Sequence, residues 1–461
     1  MTIAEQRSPA AVGDGGERRD RSVSFVVFQV EFTEPGGVTV LGEAGEAQVK
    51  LDLDPFGRVH LPGTSLAGAI RELVRERCGA DTASDWFGPV LSGGEAEAKA
   101  SRVWVLGSSR LDDAETRFLS STRIDRERGA AAGSTLRTEE VLPAGARFEV
   151  FLRWDDARDG EVAELAGLIA TWRPLIGRGV SRGRGQCAVD AVRHGTLRLS
   201  DPGDLLRWLT LHGPDLARAV ATDTVTVPGD DSVPLQGVLF RVSARIAGPW
   251  RIGTGNKPEP GSHEPLRLLR AWPDGPPAVP GTAIKGLFRS RAEFILRSVG
   301  GEPAACLTGA CGQCWTCEVF GYGGGNDADS TAVGARAAVR FADTVVDAPA
   351  ETTRTHIAID RFTGGVLDGA LYTAEAVESG TFTIEAALLP GPVGQARRAE
   401  IAAVLRLVLE DLNDGIIGMG AATARGYGTV RLDFSEASGE LPDLAEARRT
   451  LAGMVGGDDA H

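Results

Sequence analysis

Two stretches, SVSFVVFQVEF from Ser22 and GVLFRVSARIA from Gly237, alternate apolar and polar residues and each predict a strand. Behind each, a Pro-Gly turn leads into a helical period. In TSLAGAIRELVRERCG, Leu66, Ile70, Leu73 and Val74 share one face, and Thr64 or Ser65 is placed to cap the helix. In TAIKGLFRSRAEFILRSVGG, Ile284, Phe288 and Ile295 do the same, and Gly300 ends it. Val162, Leu165, Ile169 and Trp172 trace a later amphipathic helix, as do Ile401, Val404, Leu405, Val408 and Leu412. A glycine-rich loop and a strand such as GTVRLDF follow. Strand, helix, strands, helix, strand predicts an α+β chain with the ferredoxin-like order in each half.

The two halves are copies. LPGTSLAGAIR at Leu61–Arg71 returns as VPGTAIKGLFR at Val279–Arg289. Trp86-Phe87-Gly88 returns as Val319-Phe320-Gly321, Ile124-Asp125-Arg126 as Ile359-Asp360-Arg361, and Glu140 as Glu375. Ile176-Gly-Arg-Gly with Arg182-Gly-Arg-Gly185 returns as Ile417-Gly-Met-Gly with Arg425-Gly-Tyr-Gly428. The order is kept and the spacing between copies never shrinks, so the chain is a tandem duplication. It divides into a disordered lead (1–22), repeat one (23–192), a connector with a helix around Leu205–Ala219 (193–234), repeat two (235–434) and an acidic tail (435–461) holding a short helix.

Composition then narrows the class. The chain has 461 residues, 42% of them hydrophobic and 24% charged, the profile of a globular protein. No apolar run is long enough to span a membrane, and the lead lacks the apolar segment of a secretory signal. The net charge of −14 argues against binding nucleic acid through overall charge, so phosphate contact would need a local basic groove. Cys306, Cys311, Cys314 and Cys317 fall within twelve residues, in an insertion that only repeat two carries. That spacing suits tetrahedral ligation of a structural zinc ion, with an iron–sulfur cluster as the alternative, and it places the protein in a reducing cytoplasm.

Four features recur in each half: the P-G-T-x-[IL]-x-G-x-x-R turn and helix, the following F-G, the I-D-R segment with its downstream Glu, and the closing glycine loop. In combination, over about 370 residues, they resemble the RAMP superfamily, and more closely the backbone subunits of type III CRISPR effector complexes. The resemblance implies an RRM-related core in each half and assembly along a guide RNA (crRNA) with other RAMP and large subunits. It also implies zinc in the matching insertion. TRIDRERGAAAGSTLRTEEV and HIAIDRFTGGVLDGALYTAEAV would be β-hairpin thumbs that wedge into the guide–target duplex, with Arg123, Arg126, His356, Arg361 and Phe362 contacting RNA.

Other RNA contacts follow from residue chemistry. A Pro-Gly turn feeding a helix start presents free N–H groups to phosphate, with Arg71 and Arg289 one or two turns on and Lys285 on the same helix as Arg289. The glycine loops allow close backbone approach at Gly183, Gly185, Gly426 and Gly428. Arg182, Arg184 and Arg425 add charge there, and Tyr427 a stacking surface. The competing reading of each is structural: a salt-bridged helix arginine, or a tight helix-to-strand turn.

Family members that cut target RNA carry an Asp between the first strand and the Pro-Gly turn. Here repeat two has His263-Glu-Pro265 and repeat one has Gln48, leaving His263, Glu264 and Asp52 as weak catalytic candidates. The expectation is therefore a non-catalytic RNA-gripping scaffold in antiviral defence. A metal-dependent target nuclease using Mg²⁺ or Mn²⁺, and a guide-processing endoribonuclease built on His263, are the alternatives.

Overall fold

The computed structural model describes residues 21–40, 48–89, 99–122, 124–125, 130–131, 133, 135–229, 237–255, 264–272, 274–323, 334–367 and 371–455. Residues 1–20 of the expected lead, and Arg123, Arg126 and His263 among the candidate residues, lie outside that set.

The first half runs β1 (Ser22–Phe32), α1 (Gly63–Cys78), α2 (Ala80–Phe87), β2 (Val103–Arg110), β3 (Arg117–Ser121), β4 (Arg137–Val141), β5 (Arg147–Asp155), α3 (Glu161–Ala170) and β6 (Cys187–Arg198). The connector holds α4 (Pro202–Thr210), α5 (Gly213–Val220) and β7 (Asp223–Val225). The second half runs β8 (Val238–Ile246), α6 (Gly281–Ala304), α7 (Trp315–Phe320), β9 (Val339–Phe341), β10 (Asp347–His356), β11 (Tyr372–Leu388), α8 (Arg398–Asn413), β12 (Val430–Gly439) and α9 (Leu444–Val455). The first sheet has the order β7-β6-β1-β5-β2 and the second β12-β8-β11-β9. Leaving out β7, both place the fourth strand beside the first, then the third, then the second, with antiparallel pairing throughout.

Alternation in the opening strands has different consequences in the two halves. In β8 the odd face carries Arg241, Ser243 and Arg245 towards solvent, and only Leu239, Val242, Ala244 and Ile246 are buried with Phe240. In β1 both faces are apolar. Val26, Phe28, Val30 and Phe32 enter the core under α1 and α3, while Val23, Phe25 and Val27 pack on Leu216, Ala217 and Val220 of α5. The connector is thus two helices rather than one, and it covers the sheet face that repeat two leaves wet.

Two helix ends differ from expectation. The α1 cap is Pro62 and no side chain caps it, so Thr64 and Ser65 sit inside the first turn. Proline at that position fixes φ, and the N–H groups of the first turn are left without a side-chain acceptor. The break in α6 falls at Gly301, where φ is 65°, one residue past Gly300. The tail is largely structured: β12 reaches Gly439, and α9 docks with Ala447 buried and Leu451 and Met454 against the core. No helix among the described residues is long and apolar enough to cross a membrane.

Each half also projects a hairpin arm, β3–β4 in the first and β10–β11 in the second. The repeated Glu anchors it. Glu140 accepts the Leu51 N–H at 3.1 Å, and Glu375 accepts the Leu268 N–H at 2.8 Å. Each carboxylate thereby ties the segment that precedes the Pro-Gly turn to the returning strand of its arm.

Candidate functional site

The halves meet through unlike surfaces. The glycine loop of the first half, with a short helical turn at Val180–Arg182, seats on the start of α6 and on the loop after β9. A Cβ on Gly183 would collide with the backbone and carboxylate of Asp343, and one on Gly281 with the carbonyls of Phe341 and Arg182. Asp343 accepts the Gly281 N–H at 2.6 Å, and the Lys285 ammonium donates to the Ser181 hydroxyl at 2.9 Å. Arg340 of β9 pairs with buried Glu34, which follows β1. Enclosure pushes the Asp343 carboxyl up to about 7, helped by the nearby Glu34 charge and opposed by the Gly281 N–H. The same enclosure, with Arg182 and Arg289 nearby, takes Lys285 down to about 7.

Several expected RNA contacts are therefore spent on the protein itself. Lys285 lies in the joint. Arg184 is buried on Glu139, where Arg182 and Arg178 also converge at 3.7 and 3.9 Å. Burial opposes ionisation of Glu139, yet the three guanidiniums outweigh it and hold the carboxyl below its ordinary range. Arg289 donates to Glu293, to the Gly321 carbonyl at 2.7 Å and to the Gly309 carbonyl at 2.6 Å, so it braces the cysteine insertion. Arg71, its counterpart, has no such insertion to hold, and its Nε is buried without a hydrogen-bond partner.

The glycine loops approach their own chain. Gly185 N–H donates to the Pro35 carbonyl at 3.0 Å, and Gly428 N–H to the Pro249 carbonyl at 2.8 Å. Both have φ near 80° and no room for a Cβ. Gly183 serves the joint. Gly426 alone of the four candidate glycines faces open space.

Among the described residues, two surfaces remain for a ligand. The first is a cleft of about 600 Å³ walled by both halves. The start of α1 contributes Thr64, Ser65 and Gly68, and further along it Arg77. The stretch after α3 adds Trp172, Arg173 and Arg178, and the second half adds Arg336 and Arg340. Five arginines line it with Glu72, Glu76 and Glu385, and of the five Arg340 is paired with Glu34 and Arg178 lies 3.9 Å from Glu139. The second surface is the arm of repeat two. His356 and Tyr372 face each other across β10–β11 and stack with ring centroids 5.0 Å apart. The Tyr427 hydroxyl lies 3.0 Å from His356 Nε2, and Arg425 donates to the Tyr372 hydroxyl at 2.5 Å. Beyond them Asp360 turns the tip by accepting the Phe362 and Thr363 N–H groups, leaving Phe362 fully exposed beside exposed Arg361, Ile357, Ile359 and Val366.

The remaining catalytic candidates do not converge. Asp52 sits 3.8 Å from His60, and Glu264 is exposed on the segment before Leu266. The Glu140 and Glu375 anchors match Leu51 to Leu268, so Asp52 corresponds to Leu269 and has no carboxylate counterpart in the other half. Sequence reasoning missed Tyr372, Arg178 and Arg336. Tyr372 carried a signal, because the chain has three tyrosines and two of them meet here.

Cys306, Cys311, Cys314 and Cys317 bring their sulfurs within 4.8 Å of one another and could hold a metal ion. Cys306 and Cys317 are 3.7 Å apart, Cys311 and Cys317 3.9 Å. Backbone N–H groups of Gly309 and Cys314 point at Cys306 and Cys311, an arrangement that favours thiolates. In the first half the same position is closed by packing: Trp86 lies edge-on to Trp154 at 4.9 Å, and Arg102 grips Glu161 and Asp85.

A family model of the RAMP superfamily matches residues 5–188 and 244–431. The comparison with curated proteins finds no match. Among solved structures, the chain is similar to one from the type III-B Cmr-beta complex in its apo state, at 13% identity and a TM-score of 0.30, covering 36% of this chain and 96% of that one. It is similar to another from the Cmr-beta complex bound to cognate target RNA, at 12% identity and a TM-score of 0.30, again covering 36% and 96%.

Proposed function

We propose that this chain, which belongs to the RAMP superfamily, is an RNA-binding backbone subunit of a type III CRISPR ribonucleoprotein that grips guide RNA and the guide–target duplex in antiviral defence. The observation that carries the reading is the cleft between the halves, where the α1 start, without a side-chain cap, shares the wall with five arginines. That chemistry addresses a phosphate backbone and carries no base code. The exposed tip of the second arm supports a thumb role, since Phe362 offers a bare ring for insertion between bases. The shared strand order supports a ferredoxin-like, RRM-related core in both halves. The cysteine cluster fits zinc: a tetrahedron with bonds of about 2.3 Å has edges of about 3.8 Å, close to the two sulfur separations given above. Zinc there would be structural, closing the insertion under Arg289. The other partners in this reading are further RAMP subunits and a large subunit, in the cytoplasm.

The test is binding of the purified full-length protein to a single-stranded RNA of about 40 nucleotides, long enough to span several stacked modules. Affinity should survive scrambling of the sequence and fall steeply with added KCl. Binding that follows one base motif and ignores salt would overturn the reading.

A further inference from the structure

We propose that Lys285 is a carbamylation site, at which dissolved CO₂ adds to the amine and the new carboxylate pairs with guanidinium groups where the two halves meet. The modification stands apart from the RNA-binding reading, because Lys285 is held in the joint between the halves.

The pair at the centre of the site exists only at the joint. Lys285 reaches out from α6, and its Nζ lies 2.9 Å from the hydroxyl of Ser181, in the helical turn at Val180–Arg182 of the other half. The duplication repeats neither residue. Ala67 stands where Lys285 does in the first half, and Ala424 stands where Ser181 does in the second. Both side chains are half-buried, so the amine is largely withdrawn from water yet still within reach of a small gas molecule. Among the described residues no carboxylate forms an ion pair with Lys285, and its hydrogen bond goes to Ser181. Lys99, by contrast, is held by Asp85 at 2.8 Å.

The charge around this amine is one-sided. Glu139 is shared by Arg178, Arg182 and Arg184, so three guanidiniums meet one carboxylate on the loop that carries Ser181. Arg289 follows Lys285 by one turn of α6 and has Glu293 as its partner. The charges that act on Lys285 are those of Arg182 and Arg289, both positive. Asp343, which closes the joint at Gly281, keeps its proton up to about 7 and supplies little negative charge below that. An ammonium at this place adds to an excess of positive charge, whereas a carbamate offsets it. The free amine that CO₂ requires is also present. Enclosure and the two cations take Lys285 down to about 7, while an ordinary lysine, near about 10.4, is almost wholly ammonium at neutral pH.

In the step, the Lys285 Nζ lone pair bonds to the carbon of CO₂, and one C–O π pair moves onto oxygen. Nζ then gives one proton to water. The side chain passes from a neutral amine to a carbamate anion, with one proton released and no leaving group or change of oxidation state. The Ser181 hydroxyl, which holds Nζ in the unmodified protein, is placed to donate to a carbamate oxygen. Arg182, the next residue on the same turn, supplies the paired charge. An ion pair across the joint then joins a single hydrogen bond, so CO₂ tightens the contact between the halves.

The test uses the full-length protein at about pH 8, where the amine is mostly free, with isotope-labelled bicarbonate. Triethyloxonium traps carbamates as stable esters, and digestion with mass spectrometry locates the label. The expected result is label on Lys285 and none on Lys50 or Lys99. Arg182→Gln and Ser181→Ala should each lower the labelled fraction by about two- to fivefold. Bicarbonate should raise the melting temperature of the wild type above that in chloride at equal pH and ionic strength, and Lys285→Met should abolish the difference. Wild-type protein with an intact melting curve and no label on Lys285 overturns the site. Label spread evenly over the lysines, or unchanged in Arg182→Gln, also overturns it. Stabilisation that chloride matches, or that survives Lys285→Met, marks non-covalent anion binding and overturns the tightening of the joint.

Discussion

Asp343→Asn isolates the electrostatics of the joint between the halves. The carboxyl is enclosed, accepts the Gly281 N–H, and is pushed up to about 7. In the unfolded chain it titrates near 3.9. Between those values the unfolded state ionises while the folded state keeps its proton, so stability falls as pH rises from about 4 to about 7 and is flat above. About three pKa units correspond to a ceiling of about 4 kcal/mol. Residual solvent contact and relaxation around the carboxyl reduce this to about 1–2 kcal/mol. Asparagine keeps the acceptor oxygen for Gly281 and cannot ionise. The variant should therefore match the wild type near pH 4 and exceed it by about 1–2 kcal/mol at pH 8. Urea unfolding at pH 4, 5.5, 7 and 8 reads this directly. A variant less stable than wild type at pH 8, or one with an unchanged slope between pH 4 and 7, would refute the argument.

Three further outcomes follow from separate parts of the molecule. Arg178→Ala with Arg336→Ala should lower the slope of log affinity against log KCl by about 1.4, at about 0.7 per lost phosphate contact, as read by filter binding on single-stranded RNA. Cys306→Ser should take the metal content from about one per chain to none by elemental analysis and lower the melting temperature, because binding at a four-thiolate site is folding energy. Glu375→Ala should leave the Leu268 N–H without its acceptor, cost about 1–3 kcal/mol and speed hydrogen exchange at that amide by about tenfold or more.

The parts of the fold legible in the sequence are those whose cause is local. Gly185 and Gly428 recur because both turns need positive φ and no Cβ, and Glu140 and Glu375 recur because each holds one backbone N–H. Recurrence flagged the right residues, but it did not say what they touch. The glycine loops hold their own chain at Pro35 and Pro249, a contact about 150 to 180 residues away in sequence that no local pattern encodes. The joint was unreadable for the same reason: Glu34, Asp343 and Lys285 are isolated charged residues until the halves come together. The covering of the first sheet was readable in principle. Phe25 and Val27 stand on the face that carries Arg241, Ser243 and Arg245 in the second half, and that difference calls for a lid.

The joint also has a handedness of roles. It mates a loop with a helix start, and those are different surfaces. Closing it once within the chain uses the loop of the first half and the helix start of the second. The loop at Gly426 faces open space, and Gly63 at the other helix start lies against strand β2 of its own half. A single contact between unlike surfaces is heterologous, so two chains joined by it once still present a loop at one end and a helix start at the other. If the same contact recurs between chains, it can only repeat in one direction, adding two modules per chain, and each chain end is then distinguishable from the other by which surface it still presents.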